Sequence, residues 1–223
     1  MDVVVNAAMS ADGKLSSGRR EQIEISGPDD FDRVDRIRRE VDAVAVGIGT
    51  VLADDPHLTL DDPDRQQQRR DQGRPANPAR VVVDSSGRTP LDSRICDTAA
   101  NTYVLVAAAA PEARRQALRE AGAELIVAGD DRVDLPAAFA ELEAAGIESL
   151  LVEGGGELIF SVIENDLIDR LTVYIGSLVI GGREAPTLAD GEGFVDEFPR
   201  LSLESVERVD DGVVLRYTVP AAE

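Results

Sequence analysis

Short apolar runs recur along the chain, each ending in a turn or running into a helical pattern. Asp42 to Val46, Arg80 to Asp84, Tyr103 to Ala107, Glu124 to Ala128 and Ser149 to Val152 are five of them. Runs of this length without polar alternation suit strands buried on both faces, as in a parallel sheet. Helical spacing follows at Pro111 to Ala121 and Leu135 to Ala145, closed by Gly122 and Gly146, the usual C-terminal punctuation. A third helix, Glu157 to Asn165, turns Leu158, Ile159, Val162 and Ile163 inward. Before these lie a strand, Val3 to Met9, and a helix capped by Ser26, with Pro28 early in it and Phe31, Val34, Ile37 and Val41 on its inner face. Strands near 170–180, 201–209 and 213–219 end the chain, and Asp210-Asp211-Gly212 is a hairpin signal between the last two. The alternation predicts one α/β domain over 1–223, mostly parallel with an antiparallel edge. Residues 61–78, rich in Pro and Gln, read as a surface loop.

The charge balance narrows the function. The formal net charge is −20, and the acid is spread along the chain rather than gathered in a tail. That pattern predicts a folded protein with a carboxylate-covered surface, suited to a high-salt cytoplasm where ions screen self-repulsion. It opposes nucleic-acid binding, which requires basic patches. One cysteine, Cys96, and one histidine, His57, allow neither an internal disulfide nor a Cys/His zinc cluster. The beginning MDVVVNAAMSADG has no basic or long apolar region, so no signal peptide is expected. The longest apolar stretch, Val104 to Ala110, falls far short of the roughly 20 residues of a membrane helix. A soluble cytoplasmic protein is expected.

Three strand ends carry small or hydroxylated residues. Gly154-Gly155-Gly156 stands between a strand and a helix, where backbone N–H groups and the helix dipole favour phosphate. Gly49 and Thr50 open a short helix after another strand, and Ser85, Ser86, Gly87 and Arg88 follow a third. Ligands of open α/β sheets bind at such carboxyl ends. Together they suit an extended dinucleotide, with Ser85, Ser86 and Arg88 toward a ribose and 2′-phosphate. Three ordinary turns are the alternative, because short glycine runs are weak motifs.

With NAAMSADGKLS (6–16), RIRREVDAVAVGIGTVLADDPHLT (36–59), RVVVDSSGRTPLDSRI (80–95), LLVEGGGELI (150–159) and GGREAPTLADGEGF (181–194), the chain resembles the reductase family of riboflavin biosynthesis. That is the family of the C-terminal domain of the bifunctional deaminase–reductase, and the likeness is strongest to its standalone archaeal type. The resemblance implies a dihydrofolate-reductase-like fold with helices on both faces of the sheet, and a homodimer. It implies NADPH, with NADH possible, at Thr50, Asp54, Ser85, Ser86, Gly87, Arg88, Gly154, Gly155, Gly156 and Glu157. Substrate contacts are implied at Asn6, Arg38, Leu58 and Glu153. Glu157 stands where the family often has threonine, so contact there is expected through the backbone. No metal site is expected.

The implied reaction reduces a ribosylamino group to a ribitylamino group by hydride delivery to C1′. An imine accepts hydride better when protonated, so a carboxyl group is sought as acid. Glu153 and Asp54 are the candidates, with Asp12 a weaker third. His57 reads as packed or solvated rather than as a proton shuttle, and Cys96 as a buried small apolar residue. Lys14, the sole lysine, suits a substrate phosphate or an ordinary loop. Two substrates fit: 2,5-diamino-6-ribosylamino-4(3H)-pyrimidinone 5′-phosphate and, as alternative, its deaminated uracil counterpart. Rival readings are a pterin reductase on the same fold and a dinucleotide-binding module without catalysis.

Overall fold

The computed structural model describes residues 1–19 and 23–220. In chain order the elements are β1 (Asp2–Ser10), α1 (Pro28–Glu40), β2 (Ala43–Gly47), α2 (Ile48–Asp54), α3 (Pro63–Asp71), β3 (Ala79–Val83), β4 (Thr102–Val106), α4 (Glu112–Glu120), β5 (Glu124–Val127), α5 (Leu135–Ala144), β6 (Ser149–Gly154), α6 (Gly156–Glu164), β7 (Arg170–Gly176), β8 (Ser202–Val209) and β9 (Gly212–Thr218). A single 3-10 turn, Arg94–Cys96, precedes β4. The chain divides into two compact units, Met1 with Asp35–Leu151, and Asp2–Val34 with Val152–Glu223. It crosses from one to the other within α1 and again within β6.

In the first unit the strands run β5-β4-β3-β2. Ala45 pairs with Val81, Val82 with Val104 and Leu105 with Ile126, all in parallel. Residues 43–46 of β2 and 102–106 of β4 are buried throughout, which is why these runs lack polar alternation. Helix α5 starts under an Asp134 side chain that accepts from Ala137 N–H at 3.1 Å, and buries Leu135, Ala138, Phe139 and Leu142.

Helix α3 lies where the sequence reads as a polar loop. It has no apolar stripe, so hydrophobic periodicity cannot reveal it. Asp62 caps it, accepting from Asp64 N–H at 2.8 Å, and Pro63 fills its first position. Docking falls to Arg69, 1% exposed, which donates to the carbonyls of Pro75 (2.9 Å), Arg39 (2.7 Å) and Val41 (2.7 Å).

In the second unit the order is β1-β7-β9-β8. β1 and β7 are parallel, Val5 opposite Leu171 and Ala7 opposite Val173. β9 is antiparallel to both β7 and β8, and β8 carries a bulge between Leu203 and Ser205. β7 ends at Gly176, short of the expected 180, where a side chain would meet the Ile25 carbonyl at 2.4 Å. In α6, Phe160 is buried and Ile163 only half-buried; Phe160 packs on Phe194 with ring centroids 5.2 Å apart.

Two expectations for α1 are corrected. Its first N–H groups are capped by Asp210 at the tip of the β8–β9 hairpin, not by Ser26; Asp29 N and Asp30 N donate to that carboxylate at 3.2 and 3.0 Å. A Cβ on Gly27 would lie 2.6 Å from the same carboxylate. The buried face also differs. Phe31 is 56% exposed and Val34 and Ile37 are half-buried, whereas Asp30, Arg33 and Asp35 are buried and only Val41 behaves as expected. Pairing makes this tolerable: Arg33 donates to Asp30 (2.7 Å) and to Asn6 (2.9 Å), and Asp35 accepts from Arg65 (2.8 Å) and Asp61 N–H (2.8 Å).

Candidate active site

In the first unit, β2 runs straight into α2, whose start at Gly47 has no side-chain cap. Thr50 lies half-buried in its first turn and Asp54 exposed at its last. Asp54 makes no hydrogen bond or ion pair among the described residues, and partial desolvation pushes its carboxyl above the ordinary range. After it, Asp55 (φ 41°) and Leu58 (φ 52°) adopt left-handed backbone. Leu58 is buried. Arg38 reaches the same turn, donating to the Thr59 carbonyl at 3.0 Å, so two expected substrate residues come together.

The turn after β3 is held from several sides. The Asp84 carboxylate accepts from Thr89 N–H (2.7 Å) and Oγ1 (2.8 Å). Gly87 sits at φ 68°, and Arg114 of α4 donates to the carbonyls of Gly87 (2.7 Å) and Thr89 (2.8 Å). Ser85 Oγ accepts from Val133 N–H at 3.0 Å, while Ser86 and Arg88 stay exposed. Sequence reasoning missed Asp84 and Arg114 as supports. Asp84 merely ends a strand, and Arg114 sits in a charged helix pattern that reads as solvated.

In the second unit, Glu153 is half-buried at the end of β6 and Gly154 is buried beside it. The glycine run now has two separate causes. Gly155 stands at φ 92°, where a side chain is strained. At Gly156 a Cβ would lie 2.4 Å from the Thr187 carbonyl oxygen and 2.6 Å from Asp190 Oδ2. The close neighbour there is the chain itself, and Asp190 N–H donates to the Gly156 carbonyl at 3.0 Å. The start of α6 has no side-chain cap, which leaves its N–H groups to an anion, and Glu157 is exposed. Asn6 is buried on β1, oriented by Arg33.

The profile of the RibD C-terminal domain matches residues 2–215. The chain belongs to the RibD C-terminal domain family. It is 45% identical over 210 residues to a 2,5-diamino-6-ribosylamino-4(3H)-pyrimidinone 5′-phosphate reductase of Archaeoglobus fulgidus, covering 94% of each chain. A reductase of the same description from Methanothermobacter thermautotrophicus is 43% identical over 220 residues, 97% of each chain. Among solved structures, a pyrimidine reductase-like protein of Corynebacterium diphtheriae superposes with a TM-score of 0.86 at 22% identity, covering 99% of this chain and 92% of that one. The fold is dihydrofolate-reductase-like.

Within the RibD C-terminal frame, several candidate residues have structural duties. Asp12 accepts from Ile180 N–H (3.0 Å), Gly181 N–H (2.7 Å) and Ser10 Oγ (2.6 Å), the last contributing most to a carboxyl held down at about 2. Such a group is ionised at neutral pH and donates no proton, which removes it as an acid. Lys14 Nζ donates to the Ala185 carbonyl at 3.1 Å. Cys96 is half-buried, its Sγ 3.6 Å from the Pro90 carbonyl, and Ile95 fills the core instead. No group of His, Cys, Asp and Glu among the described residues is arranged to hold a metal ion, and no described helix is long and apolar enough to cross a membrane.

Proposed function

We propose that this chain reduces 2,5-diamino-6-ribosylamino-4(3H)-pyrimidinone 5′-phosphate to its ribitylamino product in riboflavin biosynthesis, with NADPH. The observation that carries the reading is the end-to-end likeness to two archaeal reductases named for this substrate. The nicotinamide, when bound, supplies hydride. Donors suited to a phosphate stand in each unit: an uncapped α6 start after Gly154 and Gly155 in the second, and exposed Ser86 and Arg88 in the first. We assign cofactor contacts to Thr50, Asp54 and Ser85–Arg88 in the first unit and to Gly154–Glu157, through backbone, in the second. Arg38 and Leu58 in the first unit, and Asn6 and Glu153 in the second, are assigned to substrate. Residues 1–223 act as one reductase domain in this reading, in keeping with a single family match over 2–215.

Asp54 is the better candidate for the acid. Its carboxyl is free of hydrogen bonds and pushed upward, so it holds a proton to higher pH than an ordinary aspartate. Oxidation of NADPH, followed by the absorbance of the reduced nicotinamide in concentrated KCl, is expected with the diamino compound and not with its deaminated analogue. The Asp54→Asn variant is expected to lower kcat about a hundredfold at saturating NADPH. Turnover of the deaminated compound alone would reverse the substrate assignment, and an unchanged kcat would pass the acid role to Glu153.

A homodimer in a salt-rich cytoplasm completes the proposal. On one face of the β8–β9 hairpin, Leu203 lies opposite Tyr217 and Val206 opposite Leu215; the bulge brings Leu203 and Val206 to the same side. Leu203 is 55% and Val206 61% exposed. Uncovered apolar edges of this kind are liabilities unless another chain covers them. The double variant Leu203→Glu, Val206→Glu should run as a monomer in light scattering where the parent runs as a dimer. A monomeric parent would end the assignment.

A further inference from the structure

The segment from Asp54 to Thr59 holds two non-glycine residues in the left-handed region, Asp55 and Leu58. Such backbone persists only where its surroundings over-determine it, and it gathers at functional sites. Four fasteners hold this one. The Asp55 carboxylate accepts from Arg94 N–H at 2.9 Å. Arg80 Nε donates to the His57 carbonyl at 2.8 Å, and Arg38 Nη1 to the Thr59 carbonyl at 3.0 Å. The fourth is the His57 ring: Thr59 N–H donates to Nδ1 at 3.1 Å, and Thr59 Oγ1 lies 2.7 Å from the same atom. The carbonyl and amide that flank Leu58 are thereby tied down on both sides.

The fourth fastener is the one made by an imidazole, and it follows the protonation of the ring. A ring nitrogen that accepts an N–H carries no proton. The hydrogen bonds therefore assign the proton of the neutral ring to Nε2, which faces Asp61 Oδ1 at 3.3 Å. Taking up a second proton puts an N–H on Nδ1, pointed at the Thr59 N–H, and the bond is lost. Burial opposes that protonation most. Asp61, ahead of α3, favours it; Arg38 on α1, Arg94 in the 3-10 turn and Arg80 on β3 oppose it. His57 is held below the ordinary histidine value of 6.5.

We infer that His57 is a positioning residue for the substrate: its unprotonated Nδ1 locks Leu58 in the left-handed turn, and the substrate binds to the locked turn. The inference rests on the reductase reading, which makes Leu58 a substrate contact. The lock is complete above the ordinary histidine range and is lost as pH falls through the depressed value of the folded protein.

The test combines a spectrum and a rate. His57 is the sole histidine, so the nitrogen spectrum of the imidazole needs no assignment. The Nε2–H tautomer at neutral pH is expected, with a titration midpoint below 6.5. KM for the diamino substrate is then measured against pH in the parent, His57→Asn and His57→Leu. Asparagine Oδ1 accepts from the amide two residues on, without titrating; leucine has no acceptor. The substrate phosphate titrates near pH ~6 in every variant, so the informative quantity is the ratio of parent to His57→Asn. That ratio should be near unity at alkaline pH and rise about tenfold toward acid, following the spectral midpoint. His57→Leu should show the raised KM at all pH values with NADPH affinity unchanged. An Nδ1–H tautomer, a flat ratio, or a parental KM in His57→Leu each overturns the inference. If His57→Leu does not fold, the spectrum and the His57→Asn ratio still decide. A folded parent that turns over no substrate overturns the reductase reading instead, and the tautomer still reports on the lock.

Discussion

Gly156→Ala is expected to lower the melting temperature and weaken NADPH binding together. The new Cβ would sit 2.4 Å from a backbone oxygen, that of Thr187, and 2.6 Å from the Asp190 carboxylate. A flexible side chain could swing away, but the Thr187 carbonyl cannot move without its loop. That loop is fixed from the other side, because Asp190 accepts from Thr187 N–H at 3.1 Å and donates its own N–H to Gly156. The first turn of α6 must therefore shift. Overpacking of this kind costs about 1–3 kcal/mol, and for a chain of this size each kcal/mol lowers Tm by roughly 2–4 °C. Under the proposed assignment of the α6 start to the cofactor, the same shift turns its N–H groups away, so Kd for NADPH should rise about tenfold or more. Calorimetry with and without NADPH checks both. An unchanged melting curve would mean that the loop yields freely and that Gly156 is not required by packing.

Arg80→Met is expected to be the most damaging of the charge-removing substitutions. Arg80 is fully buried within β3 and donates to the carbonyls of His57 (2.8 Å), Ile95 (3.1 Å) and Asp97 (3.2 Å), and to the Asp97 carboxylate (2.8 Å). Asp97 is half exposed, so the ion pair itself is worth little once water screens it. The Ile95 carbonyl keeps the Thr102 hydroxyl at 2.6 Å, so the damage comes from the His57 and Asp97 carbonyls that lose the guanidinium, each about 1–3 kcal/mol. A total near ~3 kcal/mol corresponds to a fall in Tm of roughly 6–12 °C. Because one of those carbonyls belongs to His57, the substrate KM should also rise in whatever fraction remains folded. A loss below ~1 kcal/mol in denaturant titration would show that water replaces the guanidinium.

The strand and helix pattern was legible because burial on two faces leaves a mark that one sequence can carry. Residues 43–46 and 104–106 are apolar because almost nothing of them meets water. Helix α3 was illegible for the converse reason. Its attachment is polar, three hydrogen bonds from Arg69 to carbonyls and one from Arg65 to Asp35, which leave no periodic trace. The inverted face of α1 was hidden likewise: Asp30, Arg33 and Asp35 look like a solvated stripe until Asn6 beside Arg33 and Arg65 beside Asp35, both distant in sequence, are known. At the candidate site, Gly154–Gly156 and Ser85–Arg88 stood out by composition. The reason for Gly156 lies thirty-odd residues downstream, at Thr187 and Asp190, and was out of reach of local reading. His57 drew little notice beforehand, since a lone histidine is usually unremarkable; only the left-handed Leu58 beside it gives the ring a purpose.

The Asp210 cap on α1 also sets an order of events during synthesis. The first unit is nearly continuous in sequence, from Asp35 to Leu151, and can close its contacts while the rest of the chain is still being made. The second unit cannot. Its first strand, β1, pairs with β7, and the start of α1 waits for a carboxylate emerging some 180 residues later. Closing contacts of such sequence separation is slow. The nascent chain thus emerges with a helix whose amino end is unsatisfied, and the last hairpin made is the piece that completes the first helix begun.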